Sequence, residues 1–219
     1  MTTPGKETPR ERYRAQLRTE VKERAWEQIA AAGAAGLSLN AIAKQMGVSG
    51  PALYRYFAGR DELITELIRD AYRSLADTIR AAADSGADLT GLGHALRGWA
   101  LADPQRYFLL YGTPVPGYRA PDDTTAIASE IMDALLGAAR TPTPRDRPDG
   151  HPDAHLEAHL AEHAHQTGDH PAPPAALRRA LHFWTRLHGI LSLELAGHFT
   201  GMGLDPAELY TNELHHLTQ

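Results

Sequence analysis

The chain of 219 residues is 42% hydrophobic and 22% charged, an ordinary soluble globular composition, and long enough for one domain of moderate size plus a smaller one. It contains no cysteine, which excludes disulfides, thiolate zinc sites and cysteine nucleophiles and fits a reducing compartment. No apolar run approaches membrane-spanning length and the first twenty residues lack the apolar core of a secretory leader, so a cytoplasmic protein without a membrane partner is expected. The net charge of −5 is unevenly spread: residues 1–60 hold ten Lys and Arg against five Glu, and the remaining 159 hold twelve against 22 acids. A basic end on an acidic body suggests that this end meets a polyanion such as nucleic acid.

In chain order, residues 1–19 read as a flexible basic arm carrying Lys6, Arg10, Arg12, Arg14 and Arg18. Val21, Ala25, Ile29 and Ala32 then form a helical stripe that stops at Gly33 and Gly36. Ser38 is a good N-cap for a short helix bearing Leu39, Ile42, Ala43 and Met46, which ends at Gly47. A second short helix starts beyond Ser49 and Pro51, with Leu53 and Phe57 facing inward. From about Arg60 to Ala83, the spacing of Leu63, Ile64, Leu67, Ile68, Ala71, Leu75 and Ile79 predicts a longer connecting helix. Helices follow near 89–111, reset at Asp103-Pro104, and near 124–139, separated by the Pro- and Gly-rich loop GTPVPGYRAP at 112–121. A second such break, 141–150, precedes a histidine-rich helix. A long helix is expected over Ala175 to Thr200 and a short final one after Asp205-Pro206. No stretch shows sustained β-branched alternation, so the fold class is all-α.

SLNAIAKQMGVSGPALYRYF (38–57) has the length and punctuation of a helix-turn-helix, whose second helix fits the DNA major groove. With Leu53 and Phe57 buried, Gly50, Pro51, Ala52, Tyr54, Arg55 and Tyr56 remain exposed. Arg55 can pair with guanine or phosphate, Tyr54 and Tyr56 with phosphates, and Pro51 and Ala52 can touch a thymine methyl. Ser38 and Ser49 open the two helices, where backbone N–H groups can meet phosphates.

Residues 38–63, SLNAIAKQMGVSGPALYRYFAGRDEL, resemble the DNA-binding signature of the TetR family of bacterial transcriptional regulators, through the IA pair, the GVS turn, LYRYF and the Arg-Asp-Glu-Leu step. Where that family most often has lysine, this chain has Arg60, which keeps the cation for a phosphate contact. VPGYRAP and WTRLHGILSLELAGHF (184–199) resemble a subset of the family with a Trp-x-x-x-His-Gly motif. The resemblance implies an N-terminal three-helix DNA-binding domain (20–66) and a C-terminal helical domain for ligand binding and dimerisation (67–219). It further implies a homodimer joined through the last two helices, a palindromic double-stranded operator, and repression relieved by a small molecule, without catalysis or cofactor.

Within the body, the long helix carries two apolar stripes, one with Leu177, Leu181, Trp184, His188, Leu191 and Leu195, the other with Ala180, Phe183, Leu187, Ile190 and Leu193. One stripe suffices for a surface helix, so this helix is buried widely, either in its own core or between two subunits. The second stripe is assigned to the dimer interface because two recognition helices are needed to read two half-sites. Trp99, Tyr107, Phe108, Tyr111, Trp184 and His188 are candidates for an effector pocket, which is typically apolar with a few polar groups, with ordinary core aromatics as the alternative. The segment 151–170 holds six of the 12 histidines, and His159 to His163 matches the H-x-x-E-H pattern of one class of zinc peptidase. Histidines four apart drift about 40° per step, so only adjacent pairs among His155, His159 and His163 could share an ion, with further ligands from another helix. A metal-responsive regulator, or more remotely a zinc hydrolase, is the alternative. Leu156, Leu160 and Ala164 instead mark a buried stripe with the histidines at its edge.

Overall fold

The computed structural model describes residues 8–140, 154–163 and 172–218, and every regular element among them is helical. The first helix, α1, spans Pro9–Ala32. It starts earlier than the hydrophobic stripe indicates because Thr8 closes a capping box: its backbone N–H donates to Glu11 Oε2 at 2.7 Å, and its hydroxyl accepts from Glu11 N. Residues 9–19 are therefore a solvated helical extension rather than the expected flexible arm; residues 1–7 lie outside the described residues. Arg18, 3.4 Å from Glu66, and Lys22, 2.6 Å from Asp70, tie α1 to the fourth helix.

A 3-10 turn (Ala34–Gly36) leads to α2 (Leu39–Gln45), capped by the Ser38 hydroxyl. Gly47 takes φ +67, a backbone state that glycine enters without strain, and lets the chain leave α2 while Val48 N–H closes on Ala43 O at 3.0 Å. The third helix, α3 (Gly50–Leu53), is a single turn capped by Ser49 and continued by tight turns through Tyr56. Leu53 and Phe57 reach inward and join Val21, Ala25, Ile29, Ile42, Leu63 and Leu67 in a first hydrophobic core.

Helix α4 (Arg60–Asp84) serves two cores. Leu63, Ile64, Leu67 and Ile68 belong to the first, while Leu75, Ala76 and Ile79 belong to a second. That second core is built with α5 (Leu89–Ala102), α6 (Pro104–Tyr111), α7 (Asp122–Ala139), α8 (Ala154–His163), α9 (Pro174–Leu195) and α10 (Pro206–Thr218). Asp103 resets the chain between α5 and α6 by capping Arg106 N, with Pro104 at the first helical position. Helix α10 lies so close to α5 that a Cβ at Gly93 would meet Leu214 Cδ2 at 2.4 Å, and the Tyr210 hydroxyl donates to the Gly93 carbonyl at 2.8 Å. Arg73 grips Glu130 through two 2.8 Å hydrogen bonds between α4 and α7. Buried Arg179 of α9 donates from Nε to Ala139 O at 2.9 Å, satisfying a carbonyl at the end of α7. No helix is long and apolar enough to cross a membrane among the described residues.

The assignment of the second α9 stripe to a dimer interface is corrected by this packing. Ala180, Phe183 and Leu187 are at most 1% exposed within the single chain, and Ile190 packs half-buried on the same core. Only Leu193 of that set stays at the surface. Helical spacing identifies a face that is buried, but not whether α7 and α10 or a second subunit buries it.

Phe57 closes the first core, with the Arg18 guanidinium 4.3 Å above its ring. Phe57→Ala is expected to cost about 3–5 kcal/mol, as for other buried aromatics truncated in cores, read as a lower denaturant midpoint.

Candidate functional site

The local sequence builds the DNA-facing surface from two caps and one glycine. Ser38 and Ser49 spend their hydroxyls on Ala41 N and Ala52 N, each at 3.3 Å, and Ser38 N–H donates to Gln28 Oε1 at 2.9 Å. Ser38 thus ties the start of α2 to α1, and Ser49 caps α3. With Leu53 anchored below, Pro51 and Arg55 are exposed and Tyr54 is 45% exposed. The Arg55 side chain makes no hydrogen bond or ion pair among the described residues, which leaves its whole guanidinium for a partner. Gly50 and Ala52 sit half-buried beside them.

Two of the expected contacts are turned inward. Tyr56 packs half-buried against the first core, with Arg14 6.0 Å from its ring and the Arg18 guanidinium on its carbonyl. Arg60 donates from Nη2 to the carbonyls of Ala34 and Ala35 at 2.9 and 3.3 Å, closing the 3-10 turn instead of facing outward. Exposed Asn40 and Lys44 of α2 share the surface of α3 and were missed, since attention to the second helix hides the polar face of the first.

In the body, four of the six expected pocket residues come together. The rings of Tyr107 and Tyr111 lie 5.3 Å apart, Tyr111 and His188 4.3 Å, Trp184 and His188 4.2 Å, and Tyr111 and Trp184 5.6 Å. Residues 107 and 111 on α6, and 184 and 188 on α9, are each one helical turn apart, which presents both pairs on facing sides. Phe108 joins through an edge contact to Tyr107 at 5.7 Å, whereas Trp99 turns toward α4 and donates from Nε1 to Ser74 Oγ at 3.1 Å. The Tyr107 hydroxyl stands 3.0 Å from His188 Nδ1, 3.2 Å from His188 O and 2.9 Å from Ser192 Oγ. By contrast, the Tyr111 hydroxyl and His188 Nε2 are buried with no hydrogen-bond partner among the described residues. Burial lowers the His188 pKa to about 4, so its imidazole is neutral at physiological pH, and burial raises the Tyr111 and Tyr107 phenols. A separate cleft of about 260 Å³ lies between α4, α6 and the 112–121 loop, lined by Ile68, Tyr72, Leu110 and Tyr118, and shares none of the six expected residues.

The histidine helix is narrower than its sequence. Leu160 is buried and Leu156 half-buried against α9, while His155 and His159 are exposed. Among the described residues no group of three or more His, Asp or Glu is placed to hold a metal ion. The side chain of His163, and all of His151, His165 and His170, lie outside the described residues, and with them the H-x-x-E-H constellation. Other helices could supply His94, His182, His188 or His198; of these four, His94 and His198 are exposed, His182 is half-buried and His188 is committed to the aromatic cluster.

This geometry, a capped helix-turn-helix on a helical body, is that of a DNA-binding regulator. The family model described as bacterial regulatory proteins, tetR family, matches residues 23–67, and the tetracyclin repressor-like C-terminal domain matches residues 89–217. The chain is 35% identical over 207 residues to the HTH-type transcriptional regulator Rv1816 of Mycobacterium tuberculosis, covering 90% of this chain and 88% of that one. It is similar to the crystal structure of the protein SCO4313, with 67% identity, a TM-score of 0.87, and coverage of 96% and 98%. The FadR regulator of Bacillus subtilis, solved in complex with stearoyl-CoA, shares the fold at 15% identity and a TM-score of 0.54, covering 92% of this chain and 97% of that one. The chain belongs to the TetR family, and it is a DNA-binding transcriptional regulator.

The buried neutral imidazole sets a pH dependence. Below its ordinary pKa of 6.5 the unfolded chain binds a proton that the folded chain refuses until about pH 4, so stability is full above 6.5 and falls as pH drops through that window. The loss approaches roughly 3 kcal/mol at the acid end. Denaturant midpoints measured from pH 7.5 to 4 should fall less steeply in His188→Gln, whose side chain does not titrate.

Proposed function

We propose that the chain is a homodimeric repressor that binds a palindromic operator and leaves it when a small molecule occupies the body. The observation that carries this reading is the unpaired Arg55 beside exposed Tyr54, on a short helix whose other face is locked into the first core. A helix this short reads only a few base edges, and a second copy at the adjacent half-site supplies the missing specificity.

The dimer reading moves to a different surface from the stripe named in the sequence. Leu181 and Leu193 are 36% and 45% exposed on the outer side of α9, and Met202 and Leu204, 67% and 41% exposed, continue from them in the turn to α10. Four of the seven large hydrophobics exposed among the described residues therefore lie along α9 and its connection to α10. Gly189 stands between Leu181 and Leu193 with open space where its Cβ would be, which permits a second helix to approach. Such an apolar surface rimmed by polar groups is the signature of an association face.

For the effector, the cluster at Tyr107, Tyr111, Trp184 and His188 favours an uncharged molecule with an apolar ring and a hydrogen-bonding group. No member of the cluster is charged at pH 7, so an ionic ligand would be desolvated without compensation. The two buried, unpartnered polar atoms, Tyr111 Oη and His188 Nε2, would each gain a bond from a carbonyl or hydroxyl.

Operator fragments selected from random DNA by the purified protein provide the test. Arg55→Ala should lose about 1–3 kcal/mol of discrimination at the base it contacts, and the Tyr54→Ala, Arg55→Ala double variant should lose specific binding with its oligomeric state unchanged. Normal operator binding by the double variant would show that α3 is not the reading helix. In sedimentation, Leu193→Glu should yield a 23.9 kDa monomer, whereas an unchanged dimer would refute the α9 face.

A further inference from the structure

The VPGYRAP segment, singled out by its sequence, has no part in reading DNA or in the aromatic cluster. Its local chemistry is nonetheless specific. Val115-Pro116-Gly117-Tyr118 forms a β-turn closed by Tyr118 N–H on Val115 O at 3.1 Å, with proline at the first central position and Gly117 at φ +77 at the second. That is the residue pattern a type II turn demands. The turn packs the partly buried Val115 and Tyr118 side chains together against the first hydrophobic core, although the loop belongs in sequence to the body.

There Tyr118 meets Thr65, one of the few buried polar residues on the described part of the chain. The Thr65 hydroxyl donates its only proton to Asp61 O at 2.8 Å, so across the 2.9 Å contact the Tyr118 hydroxyl is the donor and Thr65 Oγ1 the acceptor. Both ends of the loop are also fixed. Gly112 ends α6 where a Cβ would stand 2.4 Å from Phe108 O, and at the other end Asp123 of α7 reaches Arg69 on α4 at 2.6 Å. Thr124, buried beside Asp123, donates to Pro121 O at 2.6 Å. The loop is thus a strap from the ends of α6 and α7 across the half of α4 that carries the helix-turn-helix.

We infer that this strap is a positioning element: Tyr118, through Thr65, fixes the angle between α4 and the body and so sets where α3 is held. The inference rests on the reading of α3 as the DNA-contacting helix for its consequence, but not for its geometry. Deleting this one part-buried hydrogen bond while leaving the apolar contacts in place loosens the angle without dissolving either core. The cleft of about 260 Å³ beside Tyr118 gives the strap room to shift, since packed cores otherwise resist graded movement.

The test uses the full-length protein and its lack of native cysteine. Nitroxides are attached at Lys44→Cys on α2 and at Gly98→Cys on α5, both exposed, the latter with no atom near its added Cβ. Labelled chains are diluted with unlabelled ones, so that pulsed dipolar spectroscopy reads the head-to-body distance within one chain whatever the oligomeric state. In Tyr118→Phe the distance distribution should widen, and the affinity of the unlabelled variant with Lys44 intact for a selected operator should fall roughly threefold to tenfold, the scale of one hydrogen bond, with the melting temperature lowered by only about 2–4 °C. A distribution identical to wild type overturns the inference, as does a drop in melting temperature with the distribution unchanged, which marks the bond as merely structural. If Tyr118→Phe does not fold, Gly117→Ala strains only the turn and carries the same two outcomes. Should Arg55→Ala leave operator binding intact, the reading of α3 fails, while the distance measurement still decides the strap.

Discussion

Everything in this molecule hangs on the shared burial of α4. Its amino-terminal half supplies Leu63, Ile64, Leu67 and Ile68 to the core of the DNA-binding head, and its carboxyl-terminal half supplies Leu75, Ala76 and Ile79 to the core of the body. A helix is stiff along its axis, so a tilt imposed at one end is delivered at the other with little loss. Among the described residues the head has no second rigid connection of that length. Its remaining ties are α6, whose Leu109 and Leu110 pack against the first core, Arg106, 5.8 Å from the Trp26 ring, and the strap through Tyr118.

The same arrangement explains why polar groups are concentrated along α4. Arg69 to Asp123, Arg73 and Arg80 to Glu130, and Lys22 to Asp70 line its flanks, all partly exposed. Pairs of this kind contribute little stability individually but fix the register of one helix on the next. The part-buried Thr65–Tyr118 bond differs, because its loss leaves the buried Thr65 Oγ1 without its donor. In the body, the Tyr107 hydroxyl has a full set of partners and locks α6 to α9, while Tyr111 and His188 Nε2, a few ångströms away, do not. That contrast separates the part of the cluster that holds the helices together from the part that the proposed effector would use, by binding one head arrangement better than another.

Legibility in the sequence followed the range of the signal. Caps and turns are local, so Ser38, Gly47, Ser49 and Asp103-Pro104 marked their boundaries to within a residue or two. Of the six aromatic candidates for a pocket, Tyr107, Tyr111, Trp184 and His188 meet in the fold, while Trp99 turns toward α4, since composition names apolar rings but not which of them face one another. The start of α1 was missed because Thr8 and Glu11 cap a helix that carries no apolar stripe until Val21. The role of the second α9 stripe was misread for a different reason: Phe183 and Leu187 have the spacing of a buried face, and spacing carries no information on what covers it. Arg60 and Tyr56 were expected to face outward, and only the position of the 3-10 turn and of Arg18 explains why they turn in. The strap was visible as a Pro-Gly turn, yet its target on Thr65 is 53 residues away in the chain, beyond any periodicity.

The central claim, that α4 makes head and body one mechanical unit, is tested most directly by native-state hydrogen exchange resolved along α4. If the claim holds, the amides from Leu63 to Ile68 and those from Leu75 to Ile79 exchange with the same opening free energy and the same denaturant dependence, as one cooperative unit. A head half that opens independently, with lower free energy and a smaller denaturant slope than the body half, would contradict it.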